Sequence, residues 1–427
     1  MRILFIACYS PFINNSAAIE TLQYLNKLSN NNANEVHLLT VDFPKNSIYY
    51  DKNHALMMSE NIKVHAISSG KLFDKLMPRV SKVPRVLINQ PEKKFVNLTQ
   101  ILKKLKKIFE LPDMYVYWSL KAARYGKKLC QTTDFKVIFS MHEPPSSHIC
   151  AYLIKKKYPA LSWVSYWSDP WVKDPGRLNS YYLKKKVNYY FEQKAVRNSD
   201  KLIFVTDINR RDYIDTYGLD PSTCFLLTRG YNKVVYDNLR KKNIPMLIEN
   251  DKINIMYAGE IFHQLRDINP FIDGIEELKK EKSDLYAKLN ILFFGNIDDD
   301  NDKKRLISNE IIKVSPRISF EEALRYLLNS DILLLFGNKN SRQIPAKIYD
   351  YFGTNSWILA IYGDKNDPLM SLTKEHYKCY GVNNESIAIK NALLELITRV
   401  EAGQYPIEDS RYEWENIGSR LFNILGE

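Results

Sequence analysis

Two parts of the sequence set charged groups beside residues that bend or open the backbone. In the second half, Tyr257-Ala258-Gly259-Glu260 is followed by Arg266, and further on comes Ile344-Pro345-Ala346-Lys347-Ile348-Tyr349-Asp350. A glycine permits close approach of backbone to ligand, and arginine offers a fork of donors that fits a phosphate. Proline suits the first turn of a helix, so Lys347 and Asp350, three residues apart, fall on one helical face. Gly259, Arg266 and Lys347 are therefore expected around a diphosphate, neutralised by the lysine and the helix dipole. Asp350 would accept hydrogen bonds from ribose hydroxyls. The plainer alternative is an intrahelical ion pair on a solvated surface.

In the first half, Ser140-Met141-His142-Glu143-Pro144-Pro145-Ser146-Ser147-His148 ends an apolar run with titratable groups on a proline-stiffened loop. His142 and Glu143 there could orient or deprotonate an acceptor, with Pro144 and His148 beside it. A capped helix start with an incidental histidine reads the same. Trp167-Ser168-Asp169-Pro170-Trp171 is a turn that could also present Asp169 and Trp171 to a sugar ring. After the first apolar run, Ser10 and then Asn15-Ser16 precede a helical pattern. Ser16 reads as its cap, leaving backbone N–H groups that could hold an anion. Asn296-Ile297-Asp298-Asp299-Asp300-Asn301-Asp302 resembles a metal loop, but an acidic helix start explains it through the dipole. No metal and no resident cofactor are expected.

These residues need strands to hold them. Short continuous apolar runs at residues 2–8, 35–41, 62–67, 136–140, 163–166 and 201–205 suit strands buried on both faces. A second series lies at 253–258, 289–294, 331–336 and 357–362. Helical patterns lie between them, which predicts an α/β fold of two doubly wound Rossmann-like domains. The polar stretch 236–250 reads as a linker. The expected division is 1–235, 236–405, and a closing helix, 406–427, that returns to the first domain. A cleft between two such domains is a common ligand site.

The 427 residues carry 61 Lys+Arg against 49 Asp+Glu, a net charge of +12 that points to polyanionic partners. The lysines are scattered and not interleaved with aromatics, so no nucleic-acid surface is expected. Only 15 glycines argue against a glycine-built phosphate loop, and five widely spaced cysteines argue against zinc or disulfides and fit a cytoplasmic setting. No apolar run is long enough to span a bilayer. Residues 95–109 place leucines and isoleucines on one helical face and Lys103, Lys104, Lys106 and Lys107 on the other, a pattern for peripheral contact with an anionic membrane.

In order, the segments resemble the GT-B glycosyltransferases, and specifically glycosyltransferase family 4 in its bacterial polysaccharide branch. The resemblance rests on Pro144-Pro145 with His148, on Trp163-Val164 with Asp169-Pro170-Trp171, and on Tyr257, Gly259 and Arg266. Its most specific part is Ile344-Pro345, Lys347, Asp350-Tyr351 and Ile358-Leu359-Ala360. The chain departs from the family pattern at Asn14-Asn15, Tyr166, Ser168, Glu260 and Asp350. The resemblance implies a retaining, metal-independent transfer from a UDP- or GDP-linked sugar to a glycan or lipid-linked acceptor. It assigns catalysis to His142, Glu143, Arg266 and Lys347. Donor binding falls to Asn15, Ser16, Gly259, Arg266, Lys347, Ile348 and Asp350, and acceptor binding to Ser10, Pro144, His148, Asp169 and Trp171. An inactive GT-B partner subunit and a GT-B sugar epimerase are the alternatives.

Overall fold

The computed structural model describes the chain except residues 14, 31–32, 48–49, 71–110, 175–176, 178–179, 340–342, 375 and 427. The 95–109 segment therefore lies outside the described residues. Two compact units are present: Met1–Thr228 with Gly418–Glu427, and Arg229–Ile417.

The first unit is a seven-stranded parallel sheet. Its strands are β1 (Arg2–Ala7), β2 (Glu35–Val41), β3 (Lys63–Ile67), β4 (Val137–His142), β5 (Ser162–Trp167), β6 (Lys201–Phe204) and β7 (Cys224–Leu226), in the order β3-β2-β1-β4-β5-β6-β7. The interior strands β1, β4 and β5 are almost wholly buried, which is why they read as unbroken apolar runs. The helices used below are α1 (Ser16–Ser29), α2 (Val116–Thr132), α3 (Ser146–Lys155) and α4 (Tyr182–Asn198).

The second unit is a six-stranded parallel sheet. Its strands are β8 (Ile253–Ala258), β9 (Leu289–Phe294), β10 (Ile312–Ser315), β11 (Ile332–Phe336), β12 (Trp357–Tyr362) and β13 (Cys379–Asn383), in the order β10-β9-β8-β11-β12-β13. Ile255, Ile291, Leu334 and Leu359 meet in its core. Its helices include α5 (Lys233–Arg240), α6 (Asp300–Ser308) and α7 (Lys347–Phe352).

The stretch expected as a linker begins inside this unit. Asn232 caps α5 by accepting from the Val235 N–H at 3.2 Å, and Tyr236 and Leu239 are buried. A polar composition hid two anchoring side chains on one face of a short helix. The closing helix α8 (Trp414–Gly426) belongs to the first unit from Gly418 onward. There Lys201 Nζ donates to the Ile424 carbonyl at 2.6 Å and Arg420 to the Leu226 carbonyl at 2.8 Å.

Candidate functional site

In a doubly wound sheet, ligands gather beyond the carboxyl ends of the strands, where the strand order reverses. In the second unit that point lies between β8 and β11. Gly259 follows β8, Gly337 and Asn338 follow β11, and Lys347 opens α7 a few residues later.

The glycine is required there by contact. A Cβ on Gly259 would sit 2.1 Å from Lys347 Nζ and 2.8 Å from its Cε. The Lys347 ammonium also lies over the Tyr257 ring, 5.5 Å from its centroid. It has no hydrogen-bond acceptor or carboxylate partner among the described residues.

Arg266 is braced from three sides. Its Nε donates to Asn338 Oδ1 at 2.8 Å, and one terminal nitrogen, Nη1, donates to Tyr257 Oη at 3.0 Å and to the Glu260 carbonyl at 2.5 Å. Its other terminal nitrogen, Nη2, has no partner among the described residues. Burial, and then the nearby Arg266 charge, pull the Lys347 pKa down from the usual lysine range to about 8, against the opposing Asp350 and Glu260 carboxylates and with a smaller push from Arg317. A desolvated lysine next to an arginine favours an anion between them.

Lys347 and Asp350 share a face yet form no ion pair, so the surface-pair alternative does not describe them. Asp350 accepts from Tyr236 Oη, through its backbone carbonyl at 3.1 Å and its Oδ1 at 3.4 Å. Burial outweighs that bond and the nearby cations, and raises its pKa to about 7. Ile348 is buried in the core, so only its backbone can face a ligand. The far end of α7 is held by Lys378, whose buried ammonium donates to the Tyr351 and Phe352 carbonyls at 3.3 Å and to that of Thr354.

The acidic run serves as helix architecture. Asp299 caps α6 by accepting from the Asn301 and Asp302 N–H groups at 2.9 and 3.0 Å. His263, Asp299 and Asp302 bring donor atoms within 4.8 Å of one another. Within the group, His263 Nδ1 meets Asp302 Oδ2 at 2.8 Å, and Asn269 donates to Asp302 Oδ1 at 2.9 Å.

The first unit has its own reversal point, between β1 and β4. Ser10 follows β1 and is fully buried, its Oγ without a partner among the described residues. His142 was expected in a loop but is the last residue of β4, paired in register with Trp167. Only 1% of it is exposed, so its side chain cannot meet a substrate as expected; neither ring nitrogen has a hydrogen-bond partner among the described residues, and burial drives its pKa well below the usual histidine range. Its Nε2 lies 3.3 Å from Glu143 Oε1.

Glu143 receives both of its close contacts from Arg177 Nη2, at 2.7 and 2.8 Å. Burial dominates at this carboxylate and raises its pKa despite the arginine.

Several expectations for this unit need correction. His148 is fully buried, bonded through Nδ1 to Ser140 Oγ at 2.8 Å and packed 4.4 Å from the Trp167 ring. Trp171 is also fully buried and donates to Asn188 Oδ1 at 2.6 Å. Neither can face a sugar; both are core, because β5 and its exit turn are covered on both sides. Asn15, not Ser16, caps α1, accepting from the Ala18 N–H at 2.7 Å, while Ser16 is the exposed first helical residue. Pro144 is buried and its carbonyl accepts from Ser147 N–H at 3.1 Å. Asp169 stays half-buried beside Ser168, whose Oγ donates to the His142 carbonyl at 2.8 Å. Tyr166, a departure from the family pattern, is buried against Glu20, to which its hydroxyl donates.

Sequence reading missed Asp113, Arg177, Arg317 and Asn338. Asp113 accepts from Ser146 N–H at 2.9 Å and Ser146 Oγ at 2.7 Å, so the α3 N-terminus is already capped by a carboxylate of the chain itself. None of these residues sits in a local motif with its partner.

No protein-family model matches the chain, and no curated protein sequence does. Solved structures do, across nearly its whole length. A glycosyltransferase from Rickettsia africae superposes with a TM-score of 0.60 at 11% identity, covering 99% of this chain and 97% of that one. HepE of Anabaena in complex with UDP gives 0.57 at 11% identity over 100% of both chains. The UDP-GlcNAc 2-epimerase of Neisseria meningitidis bound to UDP-GlcNAc gives 0.59 at 12% identity, over 100% and 99%. What the chain shares with them is the arrangement of two parallel sheets with their helices.

Proposed function

We propose that this chain, which has the GT-B fold, is a glycosyltransferase that moves a sugar from a UDP- or GDP-linked donor to a glycan or lipid-linked acceptor. The observation that carries the reading is the unpartnered Lys347 ammonium beside the braced Arg266, at the carboxyl ends of β8 and β11. As the glycosidic bond to the diphosphate breaks, negative charge grows on the departing phosphate. Lys347 Nζ, Arg266 Nη2 and the more distant Arg317 are the cations available to hold it. Gly259 leaves the space into which Lys347 reaches. With those charges supplied by side chains, the reading needs no metal. Asp350 is the acceptor for the ribose hydroxyls.

In the first unit, Glu143 forms the acceptor end of the reading. Arg177 holds its carboxylate, which keeps some exposure, while the wholly buried His142 side chain beside it can only support it from behind. The transfer is read as retaining, with the donor phosphate assisting removal of the acceptor proton on the same face of the sugar. The similarity to a UDP-GlcNAc 2-epimerase makes epimerisation the second reading, since both reactions begin by holding a nucleotide sugar through its diphosphate.

A thermal-shift screen with UDP, GDP, ADP and their sugars tests the donor site. One nucleotide class should raise the melting temperature of the wild type and leave Lys347→Ala and Arg266→Ala unmoved. Turnover of the matching nucleotide sugar should fall by about 10² or more in each variant. Near-unchanged rates in both would remove the assignment. Release of a C2-epimer without transfer to any acceptor would favour the second reading.

A further inference from the structure

No helix among the described residues is long and apolar enough to cross a membrane. Two surface helices nevertheless carry large apolar and aromatic side chains outward. On α4, Tyr182 is 71% exposed, Leu183 54%, and Tyr189 and Tyr190 50% each. On α2, Tyr117 is 55% exposed and Leu120 42%. Spacings of three, four and seven put Tyr182, Lys186 and Tyr189 on one face of α4, and Tyr117, Leu120, Lys121 and Arg124 on one face of α2.

The same helices concentrate the charge of the chain. α2 carries four basic residues and no acidic one; α4 carries five and a single acid, Glu192. Glu192 is buried, accepting from Val172 N–H at 2.5 Å and Tyr217 Oη at 2.6 Å, so it neutralises nothing outside. These two helices, 17 residues each, thus hold a net +8 of the chain's +12. Among the described residues, none of the nine basic side chains has a carboxylate within ion-pair reach. Lys186 lies 4.5 Å from the Tyr182 ring centroid and Lys121 4.7 Å from that of Tyr117. Right-handed crossovers put α2, α3 and α4 on one side of the sheet, and α3 touches both of the others.

We propose that the outward faces of α2 and α4 dock on an anionic lipid bilayer. Tyrosines and leucines would enter the headgroup boundary while lysines meet the lipid phosphates, the composition of interfacial helices. Charge complementarity selects an anionic surface over a neutral one. Nucleic acid fits less well, because Leu120 and Leu183 offer nothing for a base to stack on and the aromatics line helix faces, not a groove. The inference stands apart from the sugar-transfer reading and holds or fails without it.

Flotation with vesicles tests it on the full chain. Binding is expected to phosphatidylcholine with 30% phosphatidylglycerol at about 50 mM salt, and not to phosphatidylcholine alone. Lys184→Gln with Lys185→Gln and Lys186→Gln should weaken partitioning about 100-fold, near fivefold per lysine. Tyr182→Ser with Tyr189→Ser and Tyr190→Ser keeps the charge and should weaken it at least tenfold. All six side chains point outward or lie half-buried, and an unchanged melting temperature confirms that each variant folds. Hydrogen exchange on vesicles should slow in α2 and α4. Full binding by the tyrosine variant, slowed exchange at 95–109 in place of these helices, or equal affinity for single-stranded nucleic acid at the same salt would each overturn the proposal.

Discussion

Raising the pH from 7.5 to 9.5 should remove the charge that Lys347 offers to a nucleotide diphosphate. Its pKa in the free protein is about 8, lowered first by burial and then by Arg266. A bound diphosphate returns that pKa to the usual lysine value of about 10.4 or above, because an adjacent anion favours the ammonium. Affinity must then fall as the free lysine loses its proton. Linkage gives a loss of about eightfold by pH 9 and about 25-fold by pH 9.5, relative to pH 7.5. Near pH 9 each binding event should take up about 0.9 proton, which calorimetry reads from the dependence of the heat on the buffer. Lys347→Met should bind weakly with no pH slope and no proton uptake. Lys347→Arg should keep a charge and lose the slope, since arginine stays protonated throughout. Lys378 is also held at about 8, by burial, and titrates in the same window. Its ammonium faces the opposite end of α7, so the methionine variant separates the two lysines. A wild-type affinity flat across this range, or a slope that survives in Lys347→Met, would refute the reasoning.

Asp350→Asn should stabilise the protein in a pH-dependent way. The folded pKa, about 7, lies above the ordinary 3.8, so the wild type loses stability as pH rises through 7; the advantage of the variant should grow by roughly 2–3 kcal/mol between pH 5 and pH 8 in urea unfolding. Gly259→Ala meets chiefly the flexible end of Lys347, with the Tyr257 hydroxyl at 3.1 Å, so stability should change by about 1 kcal/mol at most while diphosphate affinity falls at least tenfold. Gly295→Ala instead meets the Gly259 carbonyl at 2.1 Å with φ at +139°, and should lose more than about 1 kcal/mol in the same unfolding assay. Activity should survive EDTA, and Asp299→Ala should lower stability by about 1 kcal/mol through loss of the α6 cap without changing turnover; manganese-restored activity after chelation would contradict the metal-free reading.

Sequence and tertiary structure settled different things here. Interior strands such as β1, β4, β8 and β11 are covered on both faces, so their residues are apolar without a break and the α/β fold was legible one segment at a time. The edge strand β13 and the short β7 and β10 were not. β10 and β13 bury few of their residues and β7 has only three, so their composition looks like loop. Gly259, Arg266, Lys347 and Asp350 were legible because a glycine, a proline and charged residues punctuate strand ends. Whether each group was paired was not. His148 and Trp171 have the types of ligand-binding residues, and packing made them core. Ser146 meets Asp113 thirty-three positions away, and Glu143 meets Arg177 across thirty-four. Such pairs leave no local pattern, since their geometry exists only once separate strand–helix units pack side by side. The same packing desolvates Lys347 and Asp350, and so sets the two pKa values on which the site depends.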